Sequence, residues 1–212
     1  MRFKSGETVL FTGDSITDCG RTYPYGEGDG LGNGYVSLVK AVLQASCPQT
    51  QLRILNTGIS GNRVTDLDSR WKKDVLDHTP AWVSIFIGIN DVWRHFDSPD
   101  ITQVNKAEFK DTYNRLIEQV LQRKMHLIMM TPYFIEPNRK DPMRAMMDEY
   151  GQVVKELAKK HNALLVDVQE AFDKYLLHMP SQSLCGDRVH PNLAGHMIIA
   201  RSFLSGIGFD WK

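Results

Sequence analysis

Net charge, cysteine and long apolar runs are all scarce in this chain of 212 residues. Its 25 Lys and Arg balance 25 Asp and Glu, so no overall field steers it to nucleic acid or holds it on an anionic membrane. The three cysteines, Cys19, Cys47 and Cys185, are an odd number without metal-type spacing, which excludes a disulfide scaffold and a cysteine zinc site. They read as reduced thiols in a cytoplasmic protein. No stretch reaches membrane-spanning length, and Met1–Glu7 carries no apolar signal core. The expected location is therefore cytoplasmic, or outside the cell through a leader absent from this sequence. Internal repeats, linkers and low-complexity segments are missing too, so residues 1–212 read as one domain.

What is present is alternation. Short apolar runs at Val9–Thr12, Leu52–Asn56, Trp82–Ile87, Leu127–Thr131 and Leu164–Val168 are separated by longer amphipathic stretches. These stretches predict helices near Tyr35–Ala45, Val64–His78, Lys106–Lys124, Pro142–His161 and Asn192–Leu204. In the third, Phe109, Tyr113, Leu116, Ile117, Val120 and Leu121 form one apolar stripe. The apolar runs lack strict alternation, as strands covered on both faces do. The pattern predicts an α/β fold: a flavodoxin-like three-layer α/β/α sandwich on a five-stranded parallel sheet, order 2-1-3-4-5. Tyr23–Gly34, with five glycines in a dozen positions, reads as an irregular surface loop.

Chemistry gathers where strands end. Val9–Thr12 runs through Gly13 and Asp14 into Ser15, which sets a hydroxyl at the mouth of the sheet; Asp14 or Ser15 serves equally as a helix N-cap there. Asp187 and His190 lie three residues apart, close enough for the carboxylate to hold one ring nitrogen while the other faces Ser15. His196 competes as the base, but no acid stands three residues before it. Two further loops, Asn56–Asn62 and Gly88–Asp91, follow strands and offer backbone and amide donors for an oxyanion. The G-x-S-x-G elbow of α/β-hydrolases is absent.

These four blocks in this order resemble the SGNH (GDSL) hydrolase family. The resemblance implies Ser15 as nucleophile, Asp187 and His190 as acid and base, and an oxyanion hole from the Ser15 N–H, Gly58 and Asn90. It also implies a flavodoxin-like sandwich and no cofactor or metal. Longer stretches, Gly13–Arg21, Gly88–Arg94, Asp141–Arg144 and Asp187–Pro191, are similar to intracellular bacterial carbohydrate esterases that deacetylate xylan fragments.

The expected activity is that of a serine esterase acting on O-acetylated sugars or xylo-oligosaccharides. Asp14, Trp93, Arg94 and Tyr133 are the candidate substrate contacts, with Trp93 suited to a sugar platform. The expected partner is a small-molecule or oligosaccharide ester, not nucleic acid or membrane, and a homo-oligomer is compatible with the sequence. Two rivals stand beside it. A lipid-ester or thioester hydrolase would use the same machinery, and a flavin-binding flavodoxin-like carrier would cradle a phosphate on Thr12–Thr17 but leave Asp187 and His190 without a role.

Overall fold

Val9, Leu10 and Phe11 expose no surface at all, and the strand they belong to, β1 (Thr8–Gly13), is the one around which the sheet is arranged. Burying each such side chain contributes about 1.5–3 kcal/mol, and both faces of β1 are filled this way. It pairs in parallel with β3 (Arg53–Asn56) on one side and β4 (Trp82–Phe86) on the other. β5 (His126–Met130) and β6 (Leu164–Val166) extend the sheet beyond β4, also in parallel. In this computed structural model, which describes Met1–Trp211, the five parallel strands take the expected order.

A sixth strand was not expected. β2 (Gly26–Glu27) lies within the presumed irregular loop and pairs antiparallel with Asn56 and Leu55 at the edge of β3, giving the order β2-β3-β1-β4-β5-β6. Two residues, one of them glycine, carry no periodicity to read. The segment is held instead by Arg21, whose guanidinium donates to the carbonyls of Thr22, Pro24 and Gly58.

Helices cover both faces of the sheet. α2 (Tyr35–Ser46) packs with α8 (Leu193–Gly206), and α3 (Val64–Asp74), α5 (Lys106–Gln122) and α6 (Pro142–Lys160) form a second group. The α5 stripe is buried from Phe109 to Val120, whereas Leu121 turns outward. Three helices complete the chain: α1 (Ser15–Asp18), α4 (Ile89–Asp97) and α7 (Val168–Leu176). Among the described residues no helix is long and apolar enough to cross a membrane.

The carboxyl ends of β1, β3 and β4 meet at the point where the chain changes direction across the sheet, the usual ligand position in such folds. Gly13 makes this junction possible. At φ 158°, a Cβ there would stand 2.0 Å from the Phe86 carbonyl oxygen. Only glycine lets β1 run against β4 and turn at once into Ser15.

Candidate active site

Ser15 opens α1 because Asp14 caps it: the Asp14 Oδ1 accepts the Ile16 N–H at 3.0 Å. The Ser15 Oγ then lies 2.9 Å from His190 Nε2, and His190 Nδ1 lies 2.7 Å from Asp187 Oδ2. The other carboxylate oxygen of Asp187 accepts the backbone N–H groups of Val189 and His190, each at 2.9 Å. Partial burial works against the Asp187 charge, but the His190 ring and these N–H groups hold its pKa below the ordinary carboxylate value. The expected serine, histidine and aspartate are thus brought into one line of hydrogen bonds.

The turn bearing Asp187 and His190 is supported from behind. Tyr133 donates its hydroxyl to the Val189 carbonyl at 2.7 Å, and the Ile135 N–H donates to the Arg188 carbonyl at 2.9 Å. Arg188 pairs with Glu136, whose carbonyl accepts from the buried Arg144. Tyr133, expected as a substrate contact, is fully buried and cannot touch a ligand. It braces the turn that bears Asp187 and His190.

Asp14 needs the same correction. It is fully buried, its Oδ2 has no partner, and burial pushes its pKa up to about 7, against the Ile16 N–H and the nearby His190. It lies beneath the cleft rather than in it. Asp91 is another buried acid, also raised to about 7 by burial, and it accepts the Val64 N–H at the head of α3. His196, the competing base, has its pKa lowered to about 4 by burial and by His190. Its Nδ1 accepts the Tyr35 N–H and its Nε2 lies 3.5 Å from Cys19 Sγ. It stays neutral and is occupied elsewhere.

The glycine assignment also changes. The Gly58 N–H donates to the Asn56 Oδ1 two residues back at 2.9 Å, a self-closing Asx turn. A Cβ at Gly58 would strike the Asp18 nitrogen at 2.4 Å, so this residue is packed against α1 and its donor is consumed. Gly61, three residues on, lines the cleft with Ser15, Asn90, Trp93, Arg94 and His190. Its N–H has no acceptor among the described residues. The Ser15 N–H, first in its helix, is likewise without an intrahelical partner. Asn90 commits one amide hydrogen to the Asn62 carbonyl at 3.1 Å, leaving the second for the cleft.

Arg70 of α3 ties these donors together, and nothing in its sequence context marked it. Its guanidinium donates to the Gly13 carbonyl at 3.0 Å, the Thr57 carbonyl at 2.7 Å and the Asn62 Oδ1 at 2.7 Å, while Asp74 pairs with it at 3.0 Å. Asn62 in turn holds Asn90. The cleft itself is about 440 Å³. The Trp93 ring stands 5.6 Å from the His190 ring, and Arg94 lies 5.7 Å from Trp93, so both expected substrate contacts border the cleft. Among the described residues no three His, Cys, Asp or Glu side chains gather as a metal group. The phosphate-cradle alternative fails at Thr17, whose hydroxyl is buried against Tyr35 at 3.1 Å.

Residues 11–198 match the GDSL-like lipase/acylhydrolase family. The acetylxylan esterase of Geobacillus stearothermophilus is 50% identical over 215 residues, which covers 100% of this chain and 98% of that protein. The crystal structure of that enzyme, Axe2, superposes with a TM-score of 0.98 over 100% of this chain and 98% of its own. Structures of three catalytic mutants of Axe2 replace a serine, an aspartate or a histidine with alanine, the last two lying three residues apart as Asp187 and His190 do. The structure of LAE5, an alpha/beta hydrolase enzyme from the metagenome of Lake Arreo in Spain, is 48% identical, with a TM-score of 0.96 over 99% of this chain and 98% of its own.

Two outcomes follow from this geometry. Lysine in place of Arg70 keeps the charge but cannot reach three acceptors at once. R70K should lower kcat about 100-fold, as misplaced catalytic groups do, with KM little changed, in steady-state ester hydrolysis. Equal changes in both constants would make Arg70 a general structural residue. Asp14 gives a stability test. The folded chain keeps its proton up to about pH 7 while the unfolded chain loses it near 3.8, so its contribution is present at low pH and lost as pH rises through about 7. Asn caps equally well but never ionises. D14N should therefore gain stability relative to the parent as pH rises from about 4 to about 7, and keep that gain above it, in urea unfolding; a difference that stays flat with pH would refute a neutral Asp14.

Proposed function

The chain belongs to the GDSL-like lipase/acylhydrolase family, and from that premise we propose that it is a serine esterase that removes O-acetyl groups from xylo-oligosaccharides. The observation that carries this reading is the continuous line of hydrogen bonds from Ser15 through His190 to Asp187 on the floor of an open cleft. The full-length likeness to an acetylxylan esterase supports the acetyl-sugar substrate.

In this reading Ser15 Oγ attacks the acetyl carbonyl carbon while His190 Nε2 takes the hydroxyl proton. Asp187 fixes the ring so that Nε2 is the free base, and stabilises the imidazolium as it forms. The carbonyl oxygen becomes an oxyanion held by the Ser15 N–H, the Gly61 N–H and the Asn90 amide. His190 then gives its proton to the departing sugar oxygen, the ester bond breaks, and an acetyl-serine remains. Water enters, His190 takes a proton from it, and the resulting attack releases acetate and restores Ser15. Trp93 and Arg94 flank the sugar as the leaving group. Residues 1–212 act as one catalytic domain. The free thiols of Cys19, Cys47 and Cys185 fit work in a reducing cytoplasm.

Acetate release from acetylated xylo-oligosaccharides, measured beside nitrophenyl esters of rising chain length, tests this. The enzyme should release acetate from the sugars, fall steeply in rate by octanoate, and lose both activities in S15A. A rate that climbs with acyl length would assign the cleft to lipid or thioester substrates. N90A should lower kcat by the equivalent of ~2.7–4 kcal/mol, the cost of losing one oxyanion donor, with KM nearly constant because the charge develops only after binding. A raised KM at unchanged kcat would make Asn90 a ground-state substrate contact.

A further inference from the structure

Trp93 is a wall between two hollows. One is the cleft with Ser15, Asn90 and His190. The other, of about 270 Å³, is lined by Trp93, Phe96, Asp97, Phe134, Asp141 and Arg188. We propose that this second hollow is a glycan subsite that holds the xylose unit next to the acetylated one. The inference rests on the esterase reading above and names how that site takes an oligosaccharide rather than a single sugar.

The direction of the chain follows from the chemistry. His190 must reach the departing sugar oxygen to protonate it, so the acetylated sugar lies on the His190 side of Ser15. Trp93 stands there, 5.6 Å from the imidazole ring. A glycan leaving that sugar next meets the far face of Trp93 and the hollow behind it.

The lining suits a pyranose. Phe96, at the end of α4, is 44% exposed, a large ring kept in water at the mouth of a cavity. Phe134 forms the floor, with the Arg188 guanidinium 4.7 Å over its ring. Arg188 itself is 40% exposed, and the Asp97 and Asp141 carboxylates remain partly open at 32% and 23%. Flat apolar rings beside donors and acceptors match a sugar, whose ring face is C–H and whose rim is hydroxyl. A fatty acyl tail would instead press methylenes against three charged groups and strip their water without replacing it. The hollow therefore favours the sugar end of the substrate over a long acyl end.

Wild-type enzyme, F96A and F96W are compared on acetylated xylotriose and acetylated xylose, reading kcat/KM for each. Wild type should favour the trimer by about tenfold, the scale of one good aromatic contact. F96A should lower the trimer-to-monomer ratio at least fivefold, and F96W should restore it, which separates a ring platform from a general packing effect. Wild type that cleaves both sugars equally, or a ratio unmoved by F96A, would overturn the subsite while leaving the esterase reading intact. Wild type that cleaves nitrophenyl acetate but neither sugar would overturn the sugar reading and the subsite together.

Discussion

The Arg70 guanidinium joins the end of β1 at Gly13 to a loop distant from it in sequence, meeting that loop both where it leaves β3 at Thr57 and further on at Asn62. Through Asn62 it also governs Asn90 at the head of α4. Every candidate donor for an oxyanion hangs from one of these points. The Thr57 carbonyl past the end of β3 has no backbone partner among the described residues, so something must satisfy it, while the Gly13 carbonyl accepts the Ile59 N–H and takes the Arg70 donor as a second bond. A planar donor with five N–H groups does so at fixed angles, and the same bonds set the relative positions of Ser15, Gly61 and Asn90. Burial lowers the Arg70 pKa, but Asp74 pulls it back. Stability and alignment are here one interaction.

Beneath that clamp lie two acids that stability alone does not explain. Asp14 and Asp91 are fully buried, each pushed up to about 7 chiefly by burial, and the Asp14 charge raises Asp91 further. Both cap helix starts, Asp14 that of α1 and Asp91 that of α3. An uncharged asparagine would cap as well. What a carboxyl group adds at Asp14 is an ionisation near pH 7 beside His190: protonated it only caps, and once ionised it puts negative potential under the imidazole ring. Buried groups screen poorly, so this potential acts at the imidazole with little loss to solvent.

The parallel core was legible because its strands are apolar on both faces, and the strand-end serine and the Asp-x-x-His pair were legible because their spacing matches their chemistry. What was missed has physical reasons. β2 is two residues long and is held by Arg21 from outside itself. α4 begins after Gly88 with Asn90 and Asp91, residues that usually mark turns. It is a helix because Ile89 and Val92 are buried while Asp91 is spent on the head of the preceding helix, α3. The resemblance placed the donor at Gly58. Yet an asparagine two residues before a glycine tends to accept that glycine's own N–H, and Asn56 does. Gly61 stood in the same loop, and that rule could have found it. Burial is what sequence carries least, and it removed Asp14 and Tyr133 from the substrate list.

α4, one of the helices the sequence did not show, joins the proposed chemistry to the proposed recognition. Asn90, Trp93 and Arg94 fall at i, i+3 and i+4, so they share one face of α4, and Phe96 and Asp97 follow one turn on. The amide proposed for the oxyanion, the ring beside His190 and the lining of the outer hollow are therefore parts of one rigid segment. Val92, with no exposed surface, anchors it in the core, while Asn62 fixes its head. Any substrate contact that shifts α4 must then shift the Asn90 amide as well. Sugar bound along Trp93 and Phe96 can in this way be felt at the reacting carbonyl, because binding energy gathered far from the bond is delivered through a stiff helix rather than dissipated in a loop.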